Sequence, residues 1–156
     1  MAAELEGLLP LVAEDRALQV ATPQLWQPGS GQIVCPPGFR PAFVAHAWKN
    51  RVHGAAAPIV FVTATGREAE RIAAAVRCWG PEATVFPSWE TLPHEKLSPQ
   101  LDTMARRAAA LRRLAHPDPS HPLAGPVQVL VVPVRALLQP IIGGLADIRP
   151  VTVRVG

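Results

Sequence analysis

Cysteine, aromatic residues and long apolar runs are all scarce in this chain of 156 residues. Cys35 and Cys78 are too few for a disulfide scaffold, and neither has a cysteine or histidine at metal-ligand spacing. The longest apolar runs, such as Val127–Val134, fall far short of the roughly 20 residues that span a bilayer. The acidic start lacks the basic segment of a signal peptide. We therefore expect reduced thiols, no metal and a cytoplasmic location.

Positive charge is also modest, with a net charge of +3. A nucleic-acid-binding surface usually concentrates its basic groups in one stripe with aromatic side chains between them. Aromatic residues make up only 5% of this chain, so charge alone does not indicate nucleic-acid binding. The length fits a single domain, residues 1–156, that buries about 70% of its unfolded surface.

Apolar runs alternate with helical patterns along the chain. Ile59–Thr63 and Val127–Val132 are almost continuously apolar, which is typical of strands buried on both faces of a parallel sheet. Thr65 and Glu68 form a capping box before a helix that ends near Gly80. Further helices are predicted at 3–15, 41–52, 99–115 and 133–138, and further strands at 32–35, 84–86 and 151–155. This order predicts a three-layer α/β fold with a mainly parallel sheet.

The segment Cys35–Ala42 occupies the place of the phosphate-binding loop in a RecA-like domain. A working loop has glycines whose amides hold phosphates, then a lysine and a hydroxyl residue. Here Gly38 is the only glycine, Pro41 takes the lysine position and Ala42 replaces the hydroxyl, which leaves Arg40 as the one group that attracts an anion. We therefore predict a degenerate RecA/helicase-like (P-loop-type) lobe without a working phosphate loop, and no bound cofactor.

The segment Pro87–Ser98 is the most distinctive part of the sequence. Prolines at both sides and the apolar Trp89 and Leu92 indicate a stiff loop that packs onto the domain, with Trp89 as its anchor. Glu90 and His94 suggest acid–base chemistry, but the segment offers neither a nucleophile nor a third, orienting group. We assign no catalytic residue.

The next predicted helix carries four arginines: Arg106, Arg107, Arg112 and Arg113. A helical wheel places Leu101, Met104, Ala108, Leu111 and Ala115 on one face, with Arg106 and Arg113 opposite and Arg107 and Arg112 at the flanks. A solvated helix face is the favoured interpretation. Contact with phosphate or with an acidic partner is the alternative.

Several of these strings resemble the N-terminal module of the bacterial transcription-repair coupling factor family, a module related to the excision-repair protein UvrB. The most specific is Trp89-Glu90-Thr91-Leu92-Pro93, followed by Leu97-Ser98-Pro99. Pro58–Thr65 with the helix after it, and Val129–Gln139, extend the resemblance through most of the chain.

The resemblance implies that the chain is the N-terminal, UvrB-like fragment of a large multidomain protein. That family is an ATP-dependent DNA translocase that displaces RNA polymerase stalled at lesions and recruits the excision-repair machinery through UvrA. ATP and magnesium belong to its motor domains, and its partners are RNA polymerase, double-stranded DNA and UvrA. The N-terminal lobe has a decayed ATP site, in accord with Pro41 and Ala42, so the fragment is expected to be a non-catalytic scaffold. Pro87–Gln100 is too short for a damage-probing hairpin.

Two other classes of function stay open. A free-standing α/β enzyme or nucleotide-binding domain would place its ligand at the carboxyl ends of the strands, and would need phosphate-binding glycines or convergent polar groups. A nucleic-acid-binding module would need a basic stripe with interleaved aromatics.

Overall fold

The computed structural model describes residues 4–51, 57–90, 98, 100–121 and 123–148. Its helices and strands are α1 (Leu9–Ala13), α2 (Arg16–Gln24), α3 (Arg40–Lys49), β1 (Ile59–Thr63), α4 (Gly66–Cys78), β2 (Ala83–Val85), α5 (Leu101–Ala115), β3 (Val129–Pro133) and α6 (Val134–Leu138). Three short 3-10 helices lie at Glu6–Leu8, Pro37–Phe39 and Leu145–Asp147. The strand predicted at 151–155 lies outside the described residues.

The three strands form one parallel sheet in the order β1-β3-β2. Val60 and Thr84 flank Leu130 of the central strand on its two sides. Every residue of β3 is buried, as its unbroken apolar sequence predicts for a strand between two others. The predicted α/β class with a parallel sheet is confirmed.

Alternate residues of β3 belong to two separate apolar clusters. Val129 and Val131 pack with α4, β2 and Val44 of α3, whereas Leu130 and Val132 pack with α5 and α6. Because neighbouring side chains of a strand point to opposite faces, helices cover the sheet on both sides. The carboxyl ends of all three strands therefore meet at one edge of the sheet.

Helix α4 begins where the capping box predicts it. The Thr65 hydroxyl accepts a hydrogen bond from the Glu68 amide at 3.1 Å, and the Glu68 carboxylate accepts one from the Ala64 amide at 3.3 Å. The helix ends at Cys78, before Gly80, whose φ of +114° is a conformation that side chains rarely adopt. Its buried face is built from alanine and branched apolar residues, as its periodicity predicts: Ala69, Ile72, Ala73 and Val76.

Two sequence predictions are wrong, and one helix was not predicted. Residues 32–35 form no strand, and Val34 is 91% exposed. Strand β1 is not buried on both faces, because it lies at the sheet edge and leaves Val60 and Val62 about half exposed. No helix was predicted from the sequence at Arg16–Gln24, where α2 lies. Asp15 caps it by accepting hydrogen bonds from the Ala17 and Leu18 amides.

Among the residues that the structure describes, no helix has the length and apolar character to cross a membrane.

Candidate functional site

The residues predicted to form a degenerate phosphate loop, Cys35–Ala42, lead into the start of α3. Pro37–Phe39 make one 3-10 turn, and α3 begins at Arg40 with Pro41 in its first turn. Pro41 and Ala42 are buried, so the position that a phosphate-binding lysine would take packs into the domain. Pro36, Pro37 and Pro41 have no amide hydrogen to donate, and the one cation of the loop, Arg40, pairs with Glu68.

A cavity of about 470 Å³ lies between this loop, the end of β1 and the start of α4, and Cys35 is part of its lining. Arg40 and Glu68, the two charged residues that line it, are 3.7 Å apart. The Glu68 carboxylate also accepts the Ala64 amide, so the chain's own anion takes the helix N-terminus that a phosphate would use. An incoming phosphate would have to displace this carboxylate.

The Trp89 segment, residues 86–90, follows β2, which ends at Val85. Hydrogen bonds to β3 and to Gln139 hold it in place. The Phe86 amide continues the sheet pattern by donating to the Val131 carbonyl at 3.0 Å. Two hydrogen bonds then join the side-chain amide of Gln139 to the backbone of Trp89: the Trp89 amide donates to Oε1 at 2.7 Å, and Nε2 donates to the Trp89 carbonyl at 3.3 Å. The side-chain amide of Gln139 thus pairs with the backbone of Trp89 as the backbone of a neighbouring strand would.

Arg107 of α5 is the centre of this arrangement. Its side chain is 1% exposed, and its Nη1 donates to the Pro87 carbonyl at 2.7 Å. The guanidinium lies 4.2 Å from the centre of the Phe86 ring and 4.4 Å from that of Trp89. Cations attract the faces of aromatic rings, most strongly where water is excluded. Burial lowers the pKa of Arg107 from its ordinary value. The buried cation therefore contacts three residues of the segment: Phe86, Pro87 and Trp89.

Helix α5 also holds Glu90 in place, through Thr103. The Thr103 hydroxyl, one turn before Arg107, donates to the Glu90 carboxylate. This hydrogen bond lowers the pKa of the Glu90 carboxyl below its usual value. A general acid needs the opposite shift, so Glu90 is suited to hold the segment and not to donate a proton in catalysis.

These contacts correct the helical-wheel prediction for α5. Its buried residues are Thr103, Arg107 and Ala110, whereas Leu101 is 81% and Met104 is 43% exposed. Arg107 does not lie at the flank of a solvated face. A helical wheel predicts exposure from polarity alone. It takes no account of the Phe86 and Trp89 rings and the Pro87 carbonyl, which bury this guanidinium.

The other three arginines make contacts within the chain. Arg106 pairs with Glu70 of α4 at the surface, and Arg112 lies 3.5 Å from the Ala146 carbonyl. Arg113 donates to the Gly125 carbonyl at 2.8 Å and to the Thr84 hydroxyl at 2.8 Å. It also pairs with Glu82 at 3.1 Å. Their role as anion or partner contacts stays a prediction, but no separate basic stripe arises from them.

Thr91, Leu92 and Pro93 of the signature string lie outside the described residues. Within the described ranges, no group of three histidine, cysteine, aspartate or glutamate side chains is placed to hold a metal ion. Gln139 and Thr103 were missed as partners of the segment, because 50 and 13 residues separate them from Trp89 and Glu90.

Comparison with known proteins gives two curated relatives. The chain is 52% identical over 100 residues to the transcription-repair-coupling factors of Mycobacterium bovis (strain ATCC BAA-935 / AF2122/97) and of Mycobacterium tuberculosis (strain CDC 1551 / Oshkosh). The match covers 64% of this chain and 8% of each relative, so the chain spans less than a tenth of their length. No family model matches the chain.

Proposed function

We propose that this chain is the N-terminal, UvrB-like lobe of a transcription-repair coupling factor and that it serves as a non-catalytic scaffold. The 52% identity to two such factors over 100 residues carries the proposal. Identity at this level over such a length supports common descent of the matched segment. The resemblance of the Trp89 string to the same family agrees with it.

The geometry of the degenerate loop supports a lobe without catalysis. The buried Pro41 and the Arg40–Glu68 pair leave no cradle for a triphosphate. This loss fits a RecA/helicase-like lobe whose nucleotide site has decayed. In the whole protein, ATP and magnesium would bind to separate motor domains.

Exposed apolar side chains support contact with other domains of the same protein. Val60 and Val62 are exposed on β1, and a second group follows β3: Val134, Leu137, Leu138, Ile141, Ile142 and Ile148. Exposed apolar side chains mark an interaction site where they form one contiguous patch. The whole protein would act as a cytoplasmic, ATP-dependent translocase on double-stranded DNA that displaces stalled RNA polymerase and recruits UvrA.

Calorimetric titration with magnesium-ATP tests the non-catalytic part of the proposal. We expect no saturable heat for the chain of 156 residues. The Arg40→Ala variant is the matched control, because it removes the one cation of the loop. Micromolar binding by the unaltered chain that Arg40→Ala abolishes would contradict the proposal, and would favour a free-standing α/β nucleotide-binding domain or enzyme.

A further inference from the structure

Strand β1 lies at an edge of the sheet that the described residues form. On its inner side it pairs with β3, beginning with the Ile59 amide, which donates to the Gln128 carbonyl at 3.0 Å. Successive residues of a strand point their backbone groups to alternate sides, so the N–H and C=O groups of Val60 and Val62 point away from β3. Among the described residues, none forms a backbone hydrogen bond with these groups. The edge therefore offers two donors and two acceptors to a further strand.

The edge at β2 differs, because an arginine side chain covers part of it. The Glu82 carbonyl accepts from the Val129 amide, so the next carbonyl, that of Ala83, points away from β3. Nη1 of Arg77 donates to this carbonyl at 2.6 Å. Natural proteins protect sheet edges with charged side chains. Strand β1 contains no charged residue, so its own side chains give its edge no such protection.

The side chains beside the β1 edge are apolar on both faces of the sheet. Val60 and Val62 lie in register with Leu130 and Val132, which are buried, yet the two β1 valines are themselves about half exposed. Phe61 points to the opposite face, where it packs against the apolar cluster that includes α4. A strand added at this edge would cover the two valines, and the burial of their apolar surface would stabilise it there.

A cavity of about 470 Å³ beside the end of β1 provides space for such a strand. It is lined by Phe61–Ala64 and by Ile33, and its two charged residues, Arg40 and Glu68, pair with each other. Residues 32–35, which include Ile33, have the sequence pattern of a strand but form none, and no described residue forms a backbone hydrogen bond with them. A strand is stable only where its backbone groups have partners. A neighbouring strand in this cavity would explain why the pattern and the structure disagree.

We propose that one apolar β-strand, supplied by a part of the protein outside these 156 residues, pairs with the β1 edge and extends the sheet. In this mode of recognition, backbone hydrogen bonds hold the added strand and its side chains give specificity. The match covers only 8% of each curated relative, so a coupling factor has ample further chain to supply the strand. This inference rests on the proposed function, because it takes the chain to be a lobe of such a factor.

Hydrogen exchange read at single residues by mass spectrometry tests the proposal. The isolated chain is compared with a chimera in which it replaces the corresponding segment of the Mycobacterium tuberculosis factor. We expect the Val60 and Val62 amides to exchange more slowly in the chimera, by about tenfold or more, because each gains a hydrogen bond there. The Ala83 amide at the β2 edge is the internal control, and its rate should be the same in both proteins.

Val60→Pro removes one outward-pointing amide and no bond to β3, a position at which an edge strand tolerates proline. The isolated variant should stay folded by circular dichroism, and in the chimera the variant should restore fast exchange at Val62. Val60→Thr is the matched control, because it keeps the amide and the branched shape, and it should keep the slow exchange.

Release of stalled RNA polymerase by the same chimera separates this inference from the proposed function. A chimera that releases the polymerase, but whose Val60 and Val62 amides exchange as fast as in the isolated chain, would overturn this inference alone. Slow exchange without release would contradict the proposed function and still support the added strand. Slowing that persists in Val60→Pro, or that appears in the isolated chain as its concentration rises, would also overturn the inference, the latter by assigning the edge to a second copy.

Discussion

Replacing Arg107 by methionine tests the role of the buried guanidinium in holding the Trp89 segment. Methionine has a similar length, so the change removes the charge and the hydrogen bonds without a large cavity. The bond from Nη1 to the Pro87 carbonyl is charged and contributes about 1.5–3 kcal/mol. Contacts with the Phe86 and Trp89 rings each add about 0.5–2 kcal/mol. The substitution also removes the cost of burying a charge, which offsets part of this loss.

We therefore expect Arg107→Met to lower the free energy of unfolding by about 1–3 kcal/mol. Arg107→Lys should be similarly destabilising, because an ammonium keeps the charge but lacks the planar group that stacks between two rings. Urea titrations followed by far-ultraviolet circular dichroism measure both. Arg106→Met is the matched control: its pair with Glu70 is exposed, so about 0–1 kcal/mol is expected. Equal losses for the Arg106 and Arg107 variants would refute the reasoning.

Trp89→Ala should also destabilise the chain, by about 2–3 kcal/mol since the ring is only partly buried, and an unchanged urea midpoint would contradict its role as anchor. Gln139→Ala should speed hydrogen exchange at the Trp89 amide without affecting the Phe86 amide, and equal rates before and after the change would count against the side-chain bridge. Because the folded pKa of His46 lies below its ordinary 6.5, stability should fall as pH drops below that value, and His46→Gln should remove this slope in melting curves recorded across pH. An unchanged slope would show that another group causes it.

The sheet and α4 could be predicted because short-range patterns determine them. The apolar run Val127–Val132 predicts a strand, which the structure has at Val129–Pro133, and the Thr65–Glu68 capping box marks the start of a helix. The exposure of Val60 and Val62 could not be predicted, since it depends on β1 being an edge strand. Strand order is a property of the whole fold and not of the strand's own residues.

Only part of the candidate site could be predicted from the sequence. Trp89 and its prolines indicated a packed loop, which the contacts with Gln139 and Arg107 explain. The partners themselves come from distant parts of the chain, so no local pattern identifies them. Arg107 in particular is buried by aromatic rings that reach it only after the sheet has formed, whereas a charged residue taken alone predicts exposure.

The most direct test of the proposed function is a chimera in which the matching segment of this chain replaces its counterpart in the Mycobacterium tuberculosis factor. The measurement is the rate at which the chimera, with ATP, releases stalled RNA polymerase from double-stranded DNA. If this chain is the same scaffold lobe, then release should proceed at a rate close to that of the unaltered factor. A folded chimera that hydrolyses ATP normally but fails to release the polymerase would contradict the assignment.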